Sequence, residues 1–172
     1  VTPPKGPAEG ASGATDVSTA IDALVAAAVD VRLRAHAPYS RYRVGAAILT
    51  RDGRTFAGCN VENASYGATI CAERNAIARM VAEGARDPVA CVVVTQGEAP
   101  GSPCGMCRQV LAEFARDLRI VLVGVEDTLE QANVANAPRA TEGPQPASVI
   151  VATRETTLDA LLPDAFRLNP IA

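Results

Sequence analysis

The sequence predicts an α/β sandwich, and three observations carry that reading. Apolar residues recur at helical spacing over 17–31, while the β-branched runs 90–95 and 119–125 alternate with helix-like segments at 71–83 and 105–116. A chain of 172 residues that is 48% hydrophobic but only 3% aromatic suits one domain with an aliphatic core of Ala, Val, Leu and Ile.

The elements follow in order. Residues 1–14 are rich in Gly and Pro and nearly free of large apolar side chains, so they bury too little surface to offset ordering entropy. They read as a flexible tail before a domain over 15–172. Val17, Ile21, Leu24, Val25, Ala28 and Val31 make one apolar stripe on a helix that should cover a sheet. V-G-A-A-I-L-T and R-T-F-A-G-C flank R-D-G, which predicts a β-hairpin turning at Asp52 and Gly53. The segment 126–147 mixes acidic, polar, Asn, Ala and Pro residues without periodicity and reads as an insertion. A-S-V-I-V-A-T at 147–153 resumes the sheet, and T-L-D-A-L-L forms a short terminal helix that Pro163 closes. There is no internal repeat.

The chemistry concentrates in C-A-E at 71–73 and P-C-G-M-C at 103–107. Cys104 and Cys107 stand at metal-binding C-x-x-C spacing, and Cys71 supplies a third thiolate, which leaves one position of a tetrahedral zinc open for water. A structural zinc knot has a closed ligand set, and no fourth Cys or His pairs naturally with these sulfurs. Glu73 is poorly placed as a ligand but well placed to reach that water, as a proton carrier would. If Cys71 begins one helix and Cys104 and Cys107 flank the start of another, both helix N-termini favour the anionic sulfurs.

The remaining composition excludes several classes. A formal net charge of −3, with no dense Lys/Arg run or aromatic platform, offers no general attraction for nucleic acid. Five cysteines, three of them better explained as thiolate ligands than as disulfide partners, point to a reducing compartment. The first thirty residues lack the pattern of a secretory signal, and the apolar stretch 23–31 is short and interrupted by Asp30, so a cytoplasmic protein without a membrane partner is expected. Cys59 and Cys91 lie in apolar strand-like surroundings and read as buried structural thiols. His36 reads as a cap at the end of the first helix.

C-x-E followed by P-C-x-x-C is the signature of zinc-dependent nucleobase deaminases. With A-P-Y-S at 37–40, V-G-A-A at 44–47, G-C-N-V-E-N at 58–63, C-A-E-R at 71–74, S-P-C-G-M-C-R-Q-V at 102–110 and L-L-P-D-A-F at 161–166, the chain resembles the small homotetrameric zinc-dependent cytidine deaminases, a family related to blasticidin S deaminase. The resemblance spans roughly two thirds of the chain. It implies a three-layer α-β-α sandwich with a mixed five-stranded sheet and one Zn2+ per subunit on Cys71, Cys104 and Cys107. It also implies hydrolytic deamination of cytidine and 2′-deoxycytidine to uridine and 2′-deoxyuridine plus ammonia, in pyrimidine salvage. Glu73 would carry a proton from zinc-activated water to N3 of cytosine and another to the departing 4-amino group.

The same resemblance implies that Arg74 offsets the charge of the sulfurs and that Asn60 and Glu62 bind ribose. These two alternate along G-C-N-V-E, so a strand would aim both at one face. The Ala72 amide would hold the pyrimidine carbonyl, and the Ser102 carbonyl would accept from the leaving amine. Tyr42 stands where the family usually has Phe, Arg43 where it often has Pro. Phe166 matches an aromatic delivered across a subunit interface, and Tyr66 matches a residue near the neighbouring subunit's site. The resemblance implies a free pyrimidine nucleoside as substrate and a homotetramer with shared sites as the assembly. Three other readings stay open: a deaminase of a cytosine nucleoside antibiotic such as blasticidin S, a non-catalytic zinc-dependent interaction module, and an enzyme editing RNA.

Overall fold

The computed structural model describes residues 17–127 and 148–167. The helical stripe becomes α1, Val17–Arg32, and the predicted hairpin becomes β1, Gly45–Thr50, and β2, Thr55–Cys59. There follow α2, Ala72–Ala82; β3, Pro88–Gln96; α3, Gly105–Ala112; β4, Arg119–Asp127; β5, Ser148–Thr157; and α4, Leu158–Leu161. The hairpin turns as its residues dictate, with Gly53 at φ +84° and its N–H donating to the Thr50 carbonyl at 2.9 Å.

The strands form one mixed sheet in the order β2-β1-β3-β4-β5, antiparallel except for the parallel β3–β4 pair. A parallel pair needs a crossover, and α3 supplies it. Strand alternation divides the core into two layers. Ala47, Val92, Val94, Val121 and Val123 face α1 through Ile21, Leu24 and Ala28. Ile48, Cys91, Val93, Ile120 and Leu122 face the other side, which Ala76 and Met80 of α2, Leu111 of α3 and Leu158 of α4 cover. The result is the expected α-β-α sandwich. Two glycines let the helices approach: a Cβ on Gly45 would lie 2.1 Å from the Ala28 carbonyl, and one on Gly58 would lie 2.5 Å from the Ala76 nitrogen.

Several boundaries differ from the sequence reading. The third helix stops at Ala112 rather than 116, where Phe114 N–H turns to the Leu111 carbonyl and tightens the last turn. β5 continues to Thr157, because its backbone pairs with β4 as far back as Arg119, which lies opposite Thr157. β4 takes in Glu126 and Asp127, which the sequence reading assigns to the insertion; the rest of that segment, 128–147, and the tail 1–14 lie outside the described residues. His36 does not cap α1, which ends at Arg32. Its N–H donates to the Asn60 carbonyl at 3.1 Å, and its own carbonyl accepts from Glu62 N–H at 2.7 Å.

Asp127 ends its strand inside a buried ion cluster. Arg32, with 0% of its side chain exposed, donates to both Asp127 carboxylate oxygens at 2.7 and 3.1 Å, and Arg43 adds a contact at 2.8 Å. Burial pushes the Asp127 carboxyl up, but the hydrogen bonds and charges of Arg32 and Arg43 outweigh it and hold the carboxyl below its ordinary value. A carboxyl depressed in this way contributes stability that is complete above its unfolded pKa of about 3.9 and is lost as pH falls through the folded value. We therefore expect Asp127→Asn to unfold at lower denaturant at pH 7, by about 3 kcal/mol, and to lose less stability than the unaltered protein between pH 4 and pH 2. Equal acid losses in the two proteins would show that the cluster does not carry this linkage.

Candidate active site

Two helix N-termini meet at the carboxyl end of the parallel strand pair, and each begins on a cysteine. Cys71 is the N-cap of α2 and Cys104 the N-cap of α3, while Cys107 lies in the first turn of α3. Gly105 follows Cys104 in open space. The sulfurs of Cys71 and Cys104 are 3.8 Å apart, those of Cys104 and Cys107 are 3.5 Å apart, and all three lie within 4.8 Å of one another. A tetrahedral zinc with Zn–S bonds of about 2.3 Å separates its sulfurs by about 3.8 Å, so the group has the dimensions of a zinc site. Among the described residues no fourth ligand joins it.

The protons of this group are shared unequally. Hydrogen bonding from Cys107 pulls the Cys71 thiol well below its ordinary value against burial, with help from Cys104 and Arg74, and the same contact with burial pushes Cys107 up. Arg74 donates from Nη2 to the Thr69 carbonyl at 2.6 Å, while its buried Nε has no hydrogen-bond partner. An unpartnered guanidinium N–H beside a depressed thiol suits a fully ionised sulfur cluster, the state a bound cation would impose. Donor type, spacing and the orphaned Nε all fit zinc.

A cavity of about 230 Å³ opens beside the cluster, lined in part by Cys71, Cys104, Glu73, Asn60, Glu62 and Tyr42. Glu73 is in the first turn of α2 and only 4% exposed. Burial pushes its carboxyl above the ordinary value, and the Cys71 charge adds to the effect. A cation seated on the sulfurs would pull that carboxyl back down, leaving it able to take up and release a proton.

The other wall is preset by the protein's own backbone. β2 ends at Cys59, yet Val61 continues in extended form by bridging His36 and Ile70, so Asn60 and Glu62 share the cavity face. The Asn60 side chain accepts from Val44 N–H at 2.8 Å and donates to the Tyr42 carbonyl at 2.9 Å, which leaves it one N–H and one lone pair for a ligand. Glu62 Oε2 accepts from Tyr39 and Ser40 N–H at 2.9 and 3.2 Å, and the Ser40 hydroxyl bonds the other oxygen. That hydroxyl, opposed by burial and joined by the two amides, holds the Glu62 carboxyl below its ordinary value. It is an anionic acceptor suited to hydroxyl donors.

Other sequence candidates are placed differently. Ser102 lines the cavity, and Ala72 is buried at the start of α2. Tyr66 and Phe166, 77% and 69% exposed, do not line this chain's cavity; Tyr66 packs edge-on against Tyr39. Sequence reasoning missed Ser40, Thr95 and Gly101, which also line the cavity. Ser40 lay within the quoted A-P-Y-S motif and was the accessible signal. Gly101 lies close against Tyr42: a Cβ there would lie 3.0 Å from the Tyr42 hydroxyl, which would have to shift. A wider cleft of about 370 Å³ elsewhere is lined by Arg51, Asp52, Arg54 and Asp87, which pair with one another.

Residues 18–124 match the cytidine and deoxycytidylate deaminase zinc-binding region. The chain belongs to the cytidine deaminase family. It is 44% identical over 113 residues to the cytidine deaminase of Halalkalibacterium halodurans, covering 65% of this chain and 86% of the relative. It is 42% identical over 116 residues to that of Sporosarcina psychrophila, covering 67% and 85%. The crystal structure of cytidine deaminase from Burkholderia pseudomallei superposes with a TM-score of 0.66 at 40% identity, covering 84% of this chain and 98% of that one. The Mycobacterium tuberculosis cytidine deaminase structure gives 0.60 at 34% identity, covering 86% and 98%.

Within this family frame, zinc titrations should reach one ion per chain, and removing it with a chelator should lower the melting temperature. Arg74→Ala should weaken zinc retention by about tenfold while all sulfur ligands remain. Unchanged retention, measured by competition with a chromogenic chelator, would separate Arg74 from the charge of the cluster.

Proposed function

We propose that the chain catalyses hydrolytic deamination of cytidine and 2′-deoxycytidine, and the observation that carries this reading is one cavity that joins a three-sulfur zinc site, a buried carboxyl and a preset hydroxyl acceptor. Cys71, Cys104 and Cys107 would hold a zinc ion, which would supply the Lewis acidity that makes water nucleophilic near neutral pH. The chain's residues do the rest. Glu73 takes a proton from the attacking water and delivers it to pyrimidine N3, then carries the second proton to the 4-amino nitrogen, which leaves as ammonia as C4 becomes a carbonyl. The Ala72 amide holds the pyrimidine carbonyl and the Ser102 carbonyl accepts from the amine. Glu62 and Asn60 take the sugar hydroxyls, and Tyr42 closes the ring side of the cavity.

A compact cavity on a chain with formal net charge −3 favours a free nucleoside over a polymer. The acceptor pair at Asn60 and Glu62 favours a sugar with free hydroxyls. We place the reaction in pyrimidine salvage in the cytoplasm, where reduced thiols persist. No helix among the described residues is long and apolar enough to cross a membrane.

Glu73→Gln should keep zinc and fold yet lower kcat for cytidine by about a thousandfold or more, because an amide cannot relay the proton. The check is ammonia release from cytidine, deoxycytidine, blasticidin S and a cytosine oligonucleotide. Turnover of only the antibiotic or only the oligonucleotide would replace this reading with a rival one, and turnover of none by zinc-loaded protein would favour a binding module.

The assembly proposed is a homotetramer. Phe166, Tyr66 and Met106, the last 60% exposed, offer apolar surface that burial between copies would satisfy, and Phe166 would then reach a neighbouring cavity. Light scattering should read four copies at micromolar concentration. A fully active monomer would reject the shared site.

A further inference from the structure

We propose that Asp127 is a positioning residue for the nucleoside cavity, acting through Arg43 on the segment 40–44; the inference rests on the functional reading above for its kinetic consequence but not for its structural one. Asp127 does not line the cavity, and Arg43 does not either. Their importance lies in what Arg43 adjoins. Tyr42 and Val44 stand on either side of it, and these are the two backbone groups that the Asn60 side chain clamps from the cavity side. Ser40, at the head of the segment, bonds Glu62 through both its amide and its hydroxyl, and the same hydroxyl accepts from Tyr42 N–H at 2.9 Å.

This segment is under strain. Arg41 has φ +59°, the left-handed region that a non-glycine residue adopts only when its surroundings impose it. Asn60 and Glu62 hold the segment on one side. On the other, Asp127 receives Arg43 at 2.8 Å, and Arg32, fixed on the same carboxylate, donates from Nε to the Arg43 carbonyl at 3.1 Å. Both the side chain and the backbone of residue 43 are therefore tied to the end of β4, and Ser148 at the start of β5 adds a weak bond to Asp127 at 3.3 Å. A carboxylate with two guanidinium partners fixes direction as well as distance, which an apolar contact would not. The cluster therefore joins the end of β4 and the start of β5 to the cavity wall.

Asp127→Asn tests this directly, and Arg43→Met offers a variant that leaves the Arg32–Asp127 pair intact should the first fail to fold. In zinc-loaded protein, amide exchange at Ser40, Tyr42 and Val44 should accelerate about tenfold or more beyond whatever acceleration the lost global stability gives the amides of α2 and α3. KM for cytidine should rise by about five- to twentyfold with kcat within about twofold, and Arg43→Lys should recover much of the loss. Unchanged exchange at these amides, or an equal loss of protection throughout the domain, would overturn the proposal. Faster exchange confined to 40–44 in a chain that does not deaminate cytidine would uphold the positioning role and remove the functional reading instead.

Discussion

Holding three cysteine sulfurs within 4.8 Å of one another as thiolates is unfavourable unless something absorbs their charge, and the rest of the structure is arranged around that constraint. The parallel β3–β4 pair requires a crossover, and the crossover begins by presenting Cys104 and Cys107 at the open end of the sheet. α2 arrives from the other direction with Cys71 as its N-cap. Each helix contributes exposed N–H groups and the positive end of its dipole to the same point, which lowers the cost of anionic sulfur. Arg74 adds a full charge with a buried Nε still free to donate. Once Cys71 is fixed as a cap, Glu73 has little freedom, because two residues of helix place its carboxyl in the wall of the same cavity.

The opposite wall uses a different principle. Asn60 and Glu62 spend much of their hydrogen-bonding capacity on the protein itself, on Tyr42, Val44, Tyr39 and Ser40. This internal satisfaction leaves few capacities for a ligand, but those that remain are aimed. A site whose donors and acceptors are already oriented loses less on binding than one that must order them. Glu62 remains charged because Ser40 and two amides stabilise its ionised form, so it accepts from hydroxyl groups instead of competing with them as a donor.

Much of this was legible in the residues. Helical spacing, a turn residue at Gly53 and β-branched runs each have a local physical cause, so the elements and their order could be read directly. The sulfur group was legible for the same reason: spacing and residue type define a ligand set almost without reference to the fold. The parts that were not legible depend on distant partners. Asp127 reads as the start of an insertion until Arg32 and Arg43 are seen around it, and Arg43 reads as a local oddity until Asp127 is. His36 looks like a helix cap because nothing in its neighbourhood announces Asn60 and Glu62. Phe166 and Tyr66 are exposed and away from this chain's cavity, a placement that no local pattern in the sequence announces.

The ion cluster also shows why stability alone does not explain these residues. Arg32 stands one turn beyond Ala28 on the buried face of α1, while Val31 of the apolar stripe is only half-buried, so a leucine or methionine at 32 would continue the packed face. Burying a guanidinium there carries a desolvation cost, and two arginines around one carboxylate leave an excess positive charge in a largely enclosed place. Well-packed apolar residues often serve a core as well as such a cluster or better. They would not hold residue 43 by both its carbonyl and its side chain, nor resist the tendency of Arg41 to leave the left-handed region. The arrangement therefore makes most sense as orientation obtained at some expense in packing energy, in a segment whose displacement would move Tyr42, release Asn60 and loosen Ser40 from Glu62 together.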